Sequence, residues 1–221
     1  MMRLFWSPRS PFVRKVLVVV HEVGLNDAIE RVPMVILSTQ PNDTLLALNP
    51  LGQIPTLVTE GGEAIYDSVA ICHYLDVVRG DGRMHAAAPE ARTAALRRQA
   101  LGDGLSWLLL NWLGERSRRQ GDQSAMRIAA VHKKLPHIFR VLEAEAATAD
   151  AATFDVGHAA IVAALGYLDF RFAPDFPWHE RYPRLAQWWQ GAQQRASVAA
   201  TVHYDELATA GSALSRQKGR A

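Results

Sequence analysis

Asn49-Pro50-Leu51-Gly52-Gln53-Ile54-Pro55-Thr56-Leu57 is the stretch on which the fold turns. It sets the turn formers Asn49, Pro50 and Gly52 ahead of a proline that stands just before an apolar, β-branched run. A proline entering a strand has two options. It can begin the strand in the trans form, or it can take the cis form, which is rarely kept without a structural reason. A cis Ile54-Pro55 bond would turn the Ile54 N–H and C=O outward. There they could pair with an extended, peptide-like ligand, as an added strand does.

The first eighty residues alternate strands and helices. Arg3 to Trp6 reads as a short strand, ended by Ser7-Pro8-Arg9-Ser10-Pro11. Phe12 to Val23 carries apolar residues at helical spacing and is stopped by Gly24. Ile29 to Val35 is β-branched enough for a second strand, and Leu45, Leu46 and Leu48 suggest a short helix. Thr56 to Thr59 and Glu63 to Tyr66 flank Gly61-Gly62, a hairpin signal. Asp67-Ser68 then opens a helix over Val69 to Val78, with short polar side chains at its N-cap. The order is β-α-β-α-β-β-α.

Around Gly80-Asp81-Gly82-Arg83 the pattern changes to Ala- and Leu-rich helical sequence. Helices are expected over Pro89 to Arg119, Ser124 to Ala149, Asp155 to Phe172 and Pro183 to Arg195. Pro136 should kink or split the second, and Asp103-Gly104 should bend the first. The organisation is a small α/β domain over residues 1–79, a linker over 80–88 and an all-α domain over 89–221.

Composition bounds the function. The 221 residues are 49% hydrophobic and 21% charged, enough for a buried core and unlike a disordered chain. Lys plus Arg exceed Asp plus Glu by 24 to 22, a net charge of +2, which argues against a nucleic-acid binder. The single cysteine, Cys72, excludes a disulfide scaffold and a CxxC pair; it should pack as a small hydrophobe. The apolar run Val16 to Val20 is too short for a membrane span and lacks the flanks of a signal peptide. A soluble, cytoplasmic protein with no membrane partner is expected. The histidines have no metal-ligand spacing, and His132 and His137 are separated by Pro136, so no metal is expected.

Three patches carry chemistry. Ser10 stands at a strand-to-helix junction, where unpaired N–H groups and a partial positive charge favour an anion. Its hydroxyl could donate to a thiolate, or it could serve as a plain N-cap with Pro11 at the first helical position. The Asn49 to Leu57 segment could offer backbone pairing. Asp67-Ser68 could grip an α-amino and α-carboxylate group, or merely cap.

In this order, Ser10-Pro11-Phe12, Asn49 to Leu57 and Asp67-Ser68 resemble the thioredoxin-like domain of cytosolic glutathione S-transferases, and the all-α half extends the likeness over nearly the whole chain. The resemblance implies glutathione as co-substrate. It makes Ser10 the residue that activates the thiol, with Ser7 as competitor. Gln53 and Ile54 correspond to the backbone contacts to the cysteinyl part, Pro55 to the cis-proline, and Asp67 and Ser68 to the γ-glutamyl clamp. Serine at the thiol position resembles the tau, theta and zeta-like branches; cysteine there would point to disulfide exchange.

The implied activity is attack of the activated thiol on a small electrophile, in the manner of a detoxification enzyme, within a homodimer. Trp107, Asn111 and Trp112 are candidate lining residues for the second substrate; the same stretch also suits plain core or a dimer interface. A non-catalytic binding or regulatory member, or another glutathione chemistry (isomerase, peroxidase, dehalogenase), are the alternatives. The helix at Asp155 resembles the family's buried capping segment, with His158 where an acid is usual. A neutral imidazole nitrogen could still close the cap, in a way that responds to pH.

Overall fold

Apolar spacing and caps place the elements. In the computed structural model, which describes residues 1–36, 40–148 and 153–205, strand β1 (Met2–Trp6) leads into helix α1 (Pro11–Glu22). Ser10 caps α1, its Oγ accepting from the Val13 N–H at 3.3 Å, and Pro11 takes the first turn. The chain leaves α1 through Gly24 at φ +72°, a conformation that costs glycine little. Strand β2 (Ile29–Pro33), the short helix α2 (Asp43–Leu46), strands β3 (Thr56–Val58) and β4 (Ala64–Ile65) and helix α3 (Ser68–His73) follow; a π-helical turn over Tyr74–Val78 continues α3. The order matches the sequence reading, with β2 and both hairpin strands shorter than expected.

The sheet runs β2-β1-β3-β4, β1 parallel to β2 and antiparallel to β3, and β3 antiparallel to β4. Register decides what meets at its end. Phe5 pairs with Thr56 and Leu57 with Ile65. The chain leaving β1 at Ser7, the chain entering β3 at Pro55 and the chain leaving β4 toward Asp67 therefore share one end of the sheet.

The remainder of the described chain is helical: α4 (Pro89–Arg116), α5 (Ala125–Ala146), α6 (Val156–Phe172), α7 (Pro183–Gln193) and α8 (Ala196–Ala199). Helix α5 runs through Pro136 without splitting, which leaves the kink as the form the proline's effect can take, and α4 passes Asp103-Gly104 as one element. Asp103 is held by an ion pair rather than marking a break, as described below.

Helix α6 is the axis of the fold. Every residue from Val156 to Leu168 is buried, so it packs on all sides. Close approach comes from glycine: a Cβ on Gly102 of α4 would lie 2.6 Å from the Ala160 carbonyl carbon, and one on Gly157 of α6 would lie 2.5 Å from the Ala95 oxygen.

A fully buried helix must satisfy its first N–H groups. Asp155 does so: its Oδ1 accepts from the His158 N–H at 3.1 Å, and His158 Nδ1 accepts from the Asp155 N–H at 3.1 Å, closing a reciprocal capping box. Arg98 of α4 donates to the same carboxylate. Burial alone would raise the Asp155 pKa, but the contacts with His158 and Arg98 outweigh it and hold the carboxyl below the usual range.

A carboxyl depressed in the folded state stabilises above its unfolded value of 3.8 and loses that contribution as pH falls through and below it. Asp155→Asn keeps a capping oxygen and removes the charge, so it should cost about 1–2 kcal/mol at neutral pH. In urea unfolding, the gap between the two proteins should narrow below about pH 4; a gap independent of pH would contradict this account of the cap.

Candidate active site

The loop before β3 is organised by Asn49, which is 1% exposed. Its Nδ2 donates to the Gln53 carbonyl and to Thr56 Oγ1, both at 3.0 Å, while its Oδ1 accepts from the Leu51 N–H. Thr56 Oγ1 donates to the same Gln53 carbonyl at 2.8 Å, and Gly52 turns the chain at φ +60°. The loop thus holds Gln53 and Ile54 in place ahead of Pro55, and the Ile54-Pro55 bond is cis. Among the described residues, the Ile54 N–H and C=O take no hydrogen-bond partner. Sequence reasoning treated Asn49 only as a turn former; its side chain, fully used inside the loop, is what shapes the segment.

Across the sheet end, Asp67 caps α3, its Oδ1 accepting from the Val69 N–H at 2.9 Å, and follows a cis Tyr66-Asp67 bond. Asp67 is exposed and Ser68 buried. The carboxylate therefore keeps acceptor capacity toward solvent at a helix start, where negative charge is favoured.

On the β1 side, Ser10 is half-buried and Ser7 is 4% exposed. Ser7 Oγ accepts from the Arg9 N–H at 3.4 Å, and the Ser10 N–H donates to the Ser7 carbonyl at 3.2 Å. Ser10 Oγ is an acceptor in its cap, so its own hydrogen remains available to donate. Both serines line a cleft of about 130 Å³ with Arg14, Arg31, Thr201 and Tyr204. His203, in the same C-terminal segment, ties it to this loop: its Nδ1 lies 2.9 Å from the Pro8 carbonyl, and burial pushes its pKa down to about 4. It is neutral at physiological pH and donates there.

Two adjacent cations of α1 are buried. Arg14 is 4% exposed and Lys15 0%. Arg14 reaches into the helical domain, where its Nη2 donates to the Val198 carbonyl at 3.4 Å and its Nη1 fills the space a Gly166 Cβ would need. Burial lowers its pKa to about 10, which leaves it charged at neutral pH. Lys15 Nζ holds both carboxylate oxygens of Asp103 on α4, at 2.7 and 2.8 Å. Burial raises the Asp103 pKa against the pull of Lys15. Two charged residues inside an otherwise apolar helix were the available signal, since each needs a partner; the partner's identity lies 88 positions away.

Helices α1 and α4 run antiparallel at this contact: Lys15 meets Asp103, and three residues earlier Phe12 packs on Trp107 with ring centroids 5.0 Å apart. One turn further along α4, Asn111 is exposed and its Nδ2 donates to the Trp107 carbonyl at 2.9 Å. Trp107 and Asn111 line a groove of about 370 Å³ with Leu101, Leu108, Lys134 and Ile138. Trp112 does not join them. It is 3% exposed and stacked on Phe172 at 4.2 Å, a core residue of the helical domain. Cys72 is fully buried, and burial pushes its thiol up to about 12, which leaves it unreactive.

The sheet end therefore offers free backbone groups at Ile54, an acid at one helix start and a hydroxyl at another. Residues 9–78 match the glutathione S-transferase N-terminal domain family, and residues 125–190 match the C-terminal domain family. The chain is 30% identical over 204 residues to YibF, an uncharacterized GST-like protein of Escherichia coli K12, covering 90% of this chain and 98% of that one. It belongs to the glutathione S-transferase family.

Among solved structures, a glutathione transferase family member from Pseudomonas fluorescens Pf-5 with bound glutathione superposes with a TM-score of 0.88 at 33% identity, over 93% of this chain and all of that one. A structure from the same organism with bound S-(propanoic acid)-glutathione gives 0.84 at 33% identity, over 92% and 100%.

Lys15→Met would leave Asp103 buried without its partner, at a cost of about 2–3 kcal/mol given its partial exposure. Lys15→Met with Asp103→Leu should recover most of that loss in urea unfolding. Additive losses in the double variant would show that the pair does not join the helices.

Proposed function

We propose that this protein is a glutathione-dependent transferase that activates the glutathione thiol with Ser10. The observation that carries this is the sheet register, which sets the Ser10 junction, the Ile54-Pro55 loop and the Asp67 helix start at one end of the sheet. The bound glutathione and S-substituted glutathione of the Pseudomonas relatives support the same reading.

In this reading, the cysteinyl backbone of glutathione pairs with the unpartnered Ile54 N–H and C=O, as an added strand would, with Gln53 and Pro55 framing it. Asp67 accepts from the γ-glutamyl ammonium, and the Ser68 helix start receives its carboxylate. The sulfur lies at the N-terminus of α1. There the Ser10 hydroxyl donates to the thiolate while its oxygen stays in the cap, and the positive helix end favours the anion. The thiol proton leaves to solvent, and the sulfur lone pair forms the bond to the electrophilic carbon. A leaving group departs to solvent with its bonding pair, or the π pair of an activated double bond moves to its acceptor end and takes up a proton from solvent. No bond to the enzyme forms. Holding both reactants adjacent and the thiolate ready lowers the barrier.

Trp107 and Asn111 form the wall for the electrophile. The working assembly is a homodimer, for which exposed Leu51, Val69 and Leu96 supply apolar surface. A cytoplasmic location accords with a buried, unpaired cysteine. Among the described residues, no helix is long and apolar enough to cross a membrane.

Isothermal titration of glutathione tests this reading. The protein should bind, and Asp67→Asn, which keeps a capping side chain but removes the charge, should weaken binding at least about tenfold, near 1.4 kcal/mol. Absence of glutathione binding to the unsubstituted protein would favour a member of the family that keeps the fold for another purpose.

A further inference from the structure

Ser10 is presented by a tight turn. Its N–H donates to the Ser7 carbonyl at 3.2 Å, across Pro8 and Arg9. Among the described residues only glycines have positive φ, and neither Pro8 nor Arg9 follows a cis bond, so the turn is of type I. Its central peptide, between Pro8 and Arg9, takes no part in the bond that closes the turn. Rotating that peptide converts type I to type II and would force Arg9 to positive φ. What holds this peptide therefore decides how firmly the turn presents Ser10, which is both its last residue and the N-cap of α1.

Both ends of the peptide are held. The Arg9 N–H donates to Ser7 Oγ at 3.4 Å, a long contact. The carbonyl of buried Pro8 has one donor among the described residues, His203 Nδ1 at 2.9 Å, 195 positions along the chain. A carbonyl oxygen only accepts, so at that distance Nδ1 carries the ring hydrogen. Nε2 lies 3.4 Å from the Ala163 carbonyl, outside the range of a good hydrogen bond, and keeps its lone pair. The two distances fix the tautomer.

His203 is itself firmly seated. It is buried, with its ring stacked on Phe170 at 5.7 Å and edge-on to Tyr167 at 5.5 Å. The chain on either side is tied to helices: Thr201 Oγ1 donates to the Ser197 carbonyl at 2.8 Å, and Arg171 donates to both carboxylate oxygens of Asp205 at 2.8 Å. The charged groups that face the ring are Arg14 of α1 and Arg171 of α6; with burial as the larger cause, they keep it neutral. A rigid ring fixed to the helical domain thus grips the peptide that the turn itself leaves free.

We propose that His203 is a positioning residue of the thiol site: by holding the Pro8 carbonyl it keeps the Pro8–Arg9 peptide from flipping and so aims the Ser10 hydroxyl at the glutathione sulfur. This role rests on the reading of Ser10 as the residue that activates the thiol. Without the His203 donor a buried carbonyl is left unpaired, which is costly, and the peptide turns to find a new partner, carrying Arg9 and Ser10 with it. Ile54 and Asp67 stand on their own loops across the sheet end, each with its own hydrogen bonds, so the grip on the rest of glutathione does not pass through His203.

The test compares the unsubstituted protein with His203→Phe, which keeps the ring stack without the donor, and His203→Asn, whose amide Nδ2 can replace the Nδ1 donor. The ultraviolet absorbance of bound glutathione thiolate is followed against pH, and S-methylglutathione, which has no thiol to ionise, is titrated by calorimetry. In His203→Phe the thiol should titrate about one pH unit or more higher, toward its ordinary value of about 8.5, while S-methylglutathione affinity stays within about threefold. His203→Asn should restore the lower value. Ring-nitrogen NMR shifts of the unsubstituted protein, assigned against His203→Asn, should show the Nδ1–H form at neutral pH, a check that stands even if His203→Phe fails to fold. An unmoved thiol in His203→Phe, no recovery in His203→Asn, loss of S-methylglutathione affinity together with the thiol shift, or the Nε2–H form would overturn the role of His203 and leave Ser10 in place. An unsubstituted protein that binds no glutathione, or binds it with the thiol at its ordinary value, would instead overturn the reading of Ser10 and this role with it.

Discussion

Helix α6 is buried along nearly its whole length, and the positions of the other parts follow from that constraint. A helix with no solvent face must be apolar all round, must satisfy its first N–H groups internally and must let its neighbours approach. Alanine and glycine meet the last demand: α4 packs against α6 through Gly102 and Gly157, and α1 docks its buried Arg14 in the space left by Gly166. Asp155 and His158 meet the second. Once α1 is held by Arg14 against α6 and by Lys15 against Asp103 of α4, its N-terminus, with Ser10, has a fixed place relative to both halves of the molecule.

The site is assembled by the sheet. Phe5 opposite Thr56 and Leu57 opposite Ile65 are pairings of short strands, yet they bring together segments separated by more than fifty residues. Asn49 fixes the loop that presents Ile54, and caps fix the two helix starts. Each functional group is thus set by a local device, and their meeting by register.

Much of this was legible in the residues because it is local. Gly24, Pro11 and Ser10 announce the ends of α1; Gly61-Gly62 marks the hairpin; Asp155 and His158 form the cap their spacing suggested. What escaped the sequence is long-range or depends on tertiary context. Pro136 was expected to kink or split α5, and the helix is not split there. Asp103 looked like part of a bend because nothing in its neighbourhood names Lys15 as its partner. Trp112 and Trp107 are equivalent as letters, and only their angular positions on α4 send one into the core and leave the other against Phe12.

In the proposed function the Ser10 hydroxyl, rather than that of Ser7, holds glutathione sulfur as thiolate at the start of α1. The direct measurement is the ultraviolet absorbance of the bound thiolate as a function of pH in the protein, in Ser10→Ala and in Ser7→Ala. The thiol should titrate below its ordinary value of about 8.5 in the protein and in Ser7→Ala, and return toward that value in Ser10→Ala. Loss of the depression in Ser7→Ala with Ser10→Ala unaffected, or no depression in any of the three, would contradict it.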